Sequence, residues 1–275
     1  MQTPEREPVV GRRERIIDGT VATARDYPSV VALRIAGASD TLCSGTLVAP
    51  DIVLAAAHCV DELETRSPPG APAELEAWMG TGATDPALER VAVLRSCRAP
   101  AYDPVTHTHD VALFALASPA SPAPAAIADA LPATFVGTTV VLVGYGPVPP
   151  ESGESLRRFG TATVSAMDEL SFTASAAPAQ GCIGDSGGPA MLDGRVAGVI
   201  AGGPADCSSY TRLRRVDVER ELLDRIAADD PCPVPQSDDG CGVRGLRRAK
   251  GEPSSVAPLA LFAVCIVAMR RRRAR

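Results

Sequence analysis

Short apolar runs separated by turns recur along most of the chain. In the first half, Ser29 to Ile35, Cys43 to Pro50, Ile52 to Leu54, Glu74 to Met79, Arg90 to Arg95 and Val111 to Leu116 read as strands. Between them lie a charged, proline-bearing loop, Glu62 to Pro72, and a polar loop, Tyr102 to Thr108. Ser118 to Pro132, rich in Ala and Pro, reads as a connector between two halves. Strands resume at Thr138 to Tyr145, Arg158 to Ser165, Leu170 to Ala174 and Arg195 to Ile200. Val216 to Ile226 carries Val218, Leu222, Leu223 and Ile226 at helical spacing and predicts a closing helix. Many short strands without alternating helices predict an all-β chain of antiparallel barrels or sandwiches.

The stretch Gly181-Cys182-Ile183-Gly184-Asp185-Ser186-Gly187-Gly188-Pro189 organises the rest. Glycines on both sides of one serine permit a turn tight enough to push the hydroxyl outward and to converge neighbouring N–H groups beside it. Serine is a weak nucleophile at its free pKa, so the reading demands a base and a group that orients the base. The motif also matches the G-x-S-x-G elbow of α/β-hydrolases, which requires a histidine after the serine. The three histidines, His58, His107 and His109, all precede it, so that owner is excluded.

His58 follows Ala55-Ala56-Ala57 and precedes Cys59, and small residues let the chain pack closely behind it. Cys43 and Cys59 lie at a separation that a hairpin can bridge. Asp110, at the mouth of an apolar strand, would be partly buried and would need a partner such as a histidine N–H. His107 and His109 read as loop residues, because no Cys, His or carboxylate set follows at metal-ligand spacing, and no cofactor is expected. Arg15-Ile16-Ile17-Asp18-Gly19 joins a basic leader to an apolar pair. It reads either as an exposed linker or as a cleavage site that would free the α-amino group of Ile16. A buried ammonium needs a carboxylate, for which Asp185 is the natural candidate.

At 275 residues the chain is long enough for a full core, and its net charge of −6, with no basic face, excludes nucleic acid as an expected partner. Eight separated cysteines argue for disulfides and an oxidising compartment rather than zinc. Residues 1–15 contain Glu5, Glu7, Arg12, Arg13 and Arg15 and no apolar core, so they are not a signal peptide. A signal upstream, or a displaced start, is the expectation, with a cytoplasmic protein bearing free thiols as the alternative.

Ile16-Ile17-Asp18-Gly19, Ala56-Ala57-His58-Cys59, Asp110-Val111-Ala112-Leu113, Gly144-Tyr145-Gly146 and Gly184-Asp185-Ser186-Gly187-Gly188-Pro189, in this order, resemble the trypsin-like serine proteases of chymotrypsin fold. The likeness runs from Ile16 to about Ile226. It implies two six-stranded antiparallel β-barrels packed face to face, about 16–120 and 133–228, within a catalytic domain spanning 16–228. It further implies a secreted or cell-surface, monomeric endopeptidase acting on polypeptides. By that resemblance Ser186 is the nucleophile, His58 the base and Asp110 its orienting partner. Gly184 and Ser186 supply the oxyanion hole. Cleavage after Arg15 by an activating protease lets Ile16 pair with Asp185, and Cys43–Cys59 and Cys182–Cys207 are the implied disulfides.

The same resemblance places Gln180 at the base of the primary substrate pocket, with Gly181 beside it, Gly203 at its neck and Ser208 near its wall. Gln180 offers no counter-charge, so cleavage after Arg or Lys is not expected and self-activation at Arg15 is poor. Ala201 and Gly202 replace a serine and an aromatic residue usual in the family, which leaves open an inactive homologue that binds without cutting, or an esterase using the same triad. Residues 229–255, with Cys232 and Cys241, read as a flexible linker. Val256 to Met269 is apolar but short of the ~20 residues that span a bilayer comfortably, and Arg270 to Arg273 follow. Gly240-Cys241-Gly242, an apolar run and terminal arginines resemble the C-terminal sorting tails of myxobacterial surface proteins. That resemblance implies membrane contact through residues 256–275 and a sorting protease acting near Cys241. Cys97 has no assigned partner, and Cys232 is open to it.

Overall fold

Six antiparallel strands close the first barrel in a computed structural model that describes residues 16–38, 40–67, 73–146, 155–227 and 232. They are β2 (Val30–Ile35), β3 (Cys43–Ala49), β4 (Ile52–Ala55), β5 (Leu75–Met79), β6 (Glu89–Arg98) and β7 (Ala112–Leu116), arranged β2-β3-β4-β7-β6-β5. In β5 alternate residues are buried, as a barrel with one solvated face requires, whereas β7 is buried at every position. Gly45 on β3 permits the close approach of β4, since a Cβ there would meet Val53 Cγ1 at 2.5 Å. Trp78 on β5, the only tryptophan, is sandwiched between the guanidiniums of Arg34 and Arg90, each 4.0 Å from its ring centroid.

The second barrel comprises β8 (Thr139–Gly144), β9 (Arg158–Met167), β10 (Ser171–Pro178), β11 (Pro189–Leu192), β12 (Arg195–Gly202) and β13 (Tyr210–Arg215). Their order is β9-β10-β13-β12-β11-β8, and pairing of β8 with β9 closes the ring. A two-residue strand, β1 (Thr20–Val21), adds to β9, so the chain enters on the second barrel before building the first. The core of this barrel is made of small and medium side chains around the edge-on pair Phe135 and Phe172, 4.8 Å apart, with Ile16 buried among them. Each such large apolar side chain contributes about 1.5–3 kcal/mol on full burial.

The barrels are pinned together by polar groups as well as by apolar contact. Tyr145, just beyond β8, donates its hydroxyl proton to Gly80 O and lies 3.2 Å from Val30 O. The buried Arg157 donates to Gly80 O and Thr23 O at 3.1 and 3.0 Å. The anticipated disulfides Cys43–Cys59 and Cys182–Cys207 are both formed. Cys97 on β6 pairs with Cys232, tying the segment after the last helix to the first barrel.

Several sequence expectations are corrected. The stretch read as a loop from Glu62 contains most of a helix, α1 (His58–Arg66), which buries only Cys59 and Val60 and so shows no apolar stripe. The closing helix is shorter than expected: α2 spans Arg220–Asp224 and continues as a 3-10 turn, Arg225–Ala227. Residues 216–219 stay outside it because Asp217 accepts from Arg215 and from Leu131 N, while Glu219 accepts from His109. β1, β11 and β13 were not anticipated. Arg15, Cys241, most of the 229–255 linker and the apolar 256–275 segment lie outside the described residues. Among the described residues no helix is long and apolar enough to cross a membrane.

Candidate active site

His58 sits at the first position of α1, and its imidazole turns toward Asp110 at the entrance to β7. Asp110 Oδ2 lies 2.7 Å from His58 Nδ1, and Oδ1 accepts the His58 backbone N–H at 2.8 Å. Two contacts to one carboxylate fix both the ring and the start of its helix. Asp110 is fully buried, so the partner that the sequence reading demanded for it is present. Burial opposes a charged imidazole here, but the hydrogen bond and charge of Asp110 outweigh it and raise the His58 pKa. α1 is anchored from below by Asp61, which accepts from Arg98 at 2.6 Å and from the Tyr102 hydroxyl at 2.5 Å.

The serine comes from the other barrel. Gly184 and Gly187 both adopt positive φ, 86° and 83°, so the chain reverses on either side of Asp185-Ser186. A Cβ at Gly187 would lie 2.2 Å from Ser44 O and 3.1 Å from Ala56 N, which places this turn against the residues that lead into His58. Ser44 clamps the same turn. Its N–H donates to Ser186 O at 2.8 Å, its hydroxyl donates to Gly184 O at 3.1 Å, and that hydroxyl accepts from Tyr145 N at 2.8 Å. Sequence reasoning passed over Ser44; the signal for it was a hydroxyl beside Cys43 in a strand that is apolar apart from Ser44 and Thr46.

Among the described residues the amides of Gly184 and Ser186 have no acceptor, and the Ser186 hydroxyl has no partner. The turn therefore carries two N–H donors and a hydroxyl that no described residue engages. Asp185, between them, points the opposite way into the interior. Its Oδ2 accepts from Ile16 N and Cys182 N, each at 3.0 Å, and its Oδ1 accepts from Gly146 N at 2.9 Å. In the uncut chain the Ile16 nitrogen is a peptide amide, and after a cut at Arg15 it would be an ammonium.

Next to Ser186 opens a cavity of about 150 Å³ lined by Gly181, Ile183, Ile200, Gly203 and Pro204 among others. Of the four residues expected at a substrate pocket, Gly181 and Gly203 line it. Gln180 is buried behind, its amide nitrogen donating to Tyr210 O at 3.2 Å, and Ser208 bonds to Asp206 on the exposed side. Among the described residues no charged side chain borders this cavity. A larger depression of about 490 Å³ near Leu63, Glu74 and Leu94 holds none of these groups. His58, His107 and Asp110 offer ligand atoms within 4.8 Å of one another, but the His58–Asp110 hydrogen bond already accounts for that pair.

A histidine hydrogen-bonded to a buried carboxylate on one barrel and a serine in a glycine-bounded turn on a second are features of the serine proteases of two-barrel fold. A family model described as Trypsin matches residues 16–218, and the chain belongs to that family. Among similar proteins, human "Serine protease 56" is 32% identical over 197 residues, which is 64% of this chain and 31% of that protein. The chain thus spans about a third of that relative's length. "Trypsin" of Saccharopolyspora erythraea is 27% identical over 205 residues, 68% of this chain and 86% of that one. "Trypsin" of Sarcophaga bullata is 26% identical over 210 residues, covering 69% and 79%. Among solved structures, neuropsin, a serine protease expressed in the limbic system of mouse brain, shares the fold with a TM-score of 0.63 at 22% identity, covering 76% of this chain and 99% of that one.

Proposed function

We propose that the protein is a serine endopeptidase in which Ser186 attacks the scissile carbonyl while His58 Nε2 accepts the hydroxyl proton. Asp110 holds the ring with Nδ1–H toward itself and stabilises the imidazolium. The Gly184 and Ser186 amides receive the developing oxyanion; losing one such donor typically costs about 3 kcal/mol of transition-state stabilisation. The tetrahedral adduct collapses as His58 returns its proton to the leaving amine. Water then repeats the sequence on the acyl-enzyme, regenerating Ser186. The reading is carried by one observation: the Ser44 clamp seats the serine turn, with its unengaged amides, against the alanines that precede His58.

The apolar cavity beside Ser186 favours an uncharged side chain of moderate size before the cut bond. An arginine there would leave its cation without a counter-charge. Self-cleavage after Arg15 is therefore slow, and a separate protease of basic preference makes the activating cut. Residues 1–15 serve as the leader, 16–228 as the catalytic domain, 229–255 as a linker and 256–275 as a surface-sorting segment processed near Cys241. The three disulfides among the described residues support a site of action outside the cell or at its surface.

A peptide library and a serine-directed phosphonate, applied to protein cut after Arg15 with Ser186→Ala as control, test this reading. Labelling at Ser186 and cleavage after uncharged residues are the expected results. Unlabelled protein would indicate a binding-only homologue, ester turnover without peptide cleavage an esterase, and a profile dominated by Arg or Lys would refute the pocket assignment.

A further inference from the structure

A second cavity, of about 210 Å³, lies across the Gly202–Gly203 segment from the one beside Ser186. Its character is the reverse of the first: Arg212, Arg214, His107, Tyr210 and Thr106 border it. Arg214 is only 5% exposed, and its Nε is buried without a hydrogen-bond partner. Among the described residues neither Arg212 nor Arg214 has a carboxylate at ion-pair distance. Asp110, Asp168 and Glu219 act on Arg214 only through the longer-range field, and burial still holds its pKa below the usual guanidinium value. A buried cation with no close counter-charge is costly unless something else supplies one. Gly202 lines both cavities, and a Cβ there would meet nothing within 4 Å. Val105, 88% exposed, stands at its rim as Ile183, 64% exposed, stands at the rim of the first cavity.

We propose that this cavity is a subsite for an acidic side chain of the substrate, received by Arg212 and Arg214. The inference rests on the protease reading above. The Gly202–Gly203 wall is common to both cavities, so the two side chains belong to the same half of the substrate, the half that precedes the cut bond. The favoured sequence is therefore an uncharged residue at the bond with Asp or Glu a short distance upstream. Arg214 supplies a buried charge and Arg212 an exposed one. A carboxylate there gains charge-assisted hydrogen bonds that its amide isostere cannot match in strength.

Binding separates this inference from the catalytic one. Ser186→Ala full chain, uncut and cut after Arg15, is titrated with fluorescent peptide pairs that differ only in Glu against Gln, or Asp against Asn, at each upstream position. The expected result is about ten- to hundredfold tighter binding of the acidic member at one position. That ratio falls toward one in Arg212→Gln and in Arg214→Gln, and it shrinks with added salt. Equal binding of both members at every position would overturn the proposal, as would a preference for acid that survives both arginine substitutions. Turnover of either peptide by the wild type bears on the protease reading alone.

Discussion

Replacing Asp185 by Asn tests the link between the leader and the serine turn. The carboxylate is fully buried and accepts three backbone N–H groups, from Ile16, Cys182 and Gly146, at 2.9–3.0 Å. An amide has one acceptor oxygen, so in either orientation its NH2 faces at least one N–H donor. After cleavage at Arg15 the Ile16 nitrogen is a cation, and the substitution leaves it buried without a counter-charge. Removing one partner of such a pair costs about 3–5 kcal/mol. If that cost falls on the arrangement that presents the Gly184 and Ser186 amides, kcat/KM drops by roughly two to four orders of magnitude at about 1.4 kcal/mol per decade. The assay is turnover of an apolar fluorogenic peptide by wild type and Asp185→Asn, both cut after Arg15 and verified by N-terminal sequencing. Circular dichroism of the uncut proteins confirms that both are folded. Cut Asp185→Asn working within tenfold of cut wild type would refute the coupling.

Two further expectations follow from the structure. Because Asp110 outweighs burial and raises the His58 pKa, the neutral base is lost on acidification earlier than for an ordinary imidazole. The acid limb of kcat/KM therefore has its midpoint above about 6.5, falling tenfold per pH unit below it, and a midpoint at or below that value would contradict the His58–Asp110 geometry. The Cys97–Cys232 bridge closes a separation of 135 residues, for which the loop-entropy relation gives about 5 kcal/mol as an upper figure. Cys97→Ser with Cys232→Ser should lower Tm by several degrees in calorimetry while leaving the other two bridges formed; an unchanged Tm would show that the C-terminal segment adds nothing to the fold.

Legibility in the sequence tracked how each element gains its stability. Strands such as 30–35, 52–55 and 112–116 bury nearly every side chain and read directly as apolar runs. β13 was hidden because its sequence, Tyr210-Thr211-Arg212-Leu213-Arg214-Arg215, is half arginine, yet Thr211, Leu213 and Arg214 are buried. Its strand character comes from pairing with β10 and β12 on either side, which no local pattern records. α1 was missed for a related reason: its apolar contact is confined to Cys59, Val60 and half-buried Leu63, while Asp61, Glu62 and Glu64 pair with Arg66 and Arg98 and give the segment a charged look. The meeting of His58 with Asp110 and the glycine-bounded turn at Ser186 were expected from motif and order. The Ser44 clamp and the arginine-lined cavity were not, because they join residues far apart in the chain through tertiary contact alone.

The stacking of Trp78 between two guanidiniums has a practical side. With one indole in the whole chain, emission excited at long wavelength originates solely from one strand of the first barrel. A melt followed by that light watches half of the molecule and is blind to the half that carries the serine. Its coincidence with a backbone signal becomes a direct measure of whether the two halves come apart as one cooperative unit.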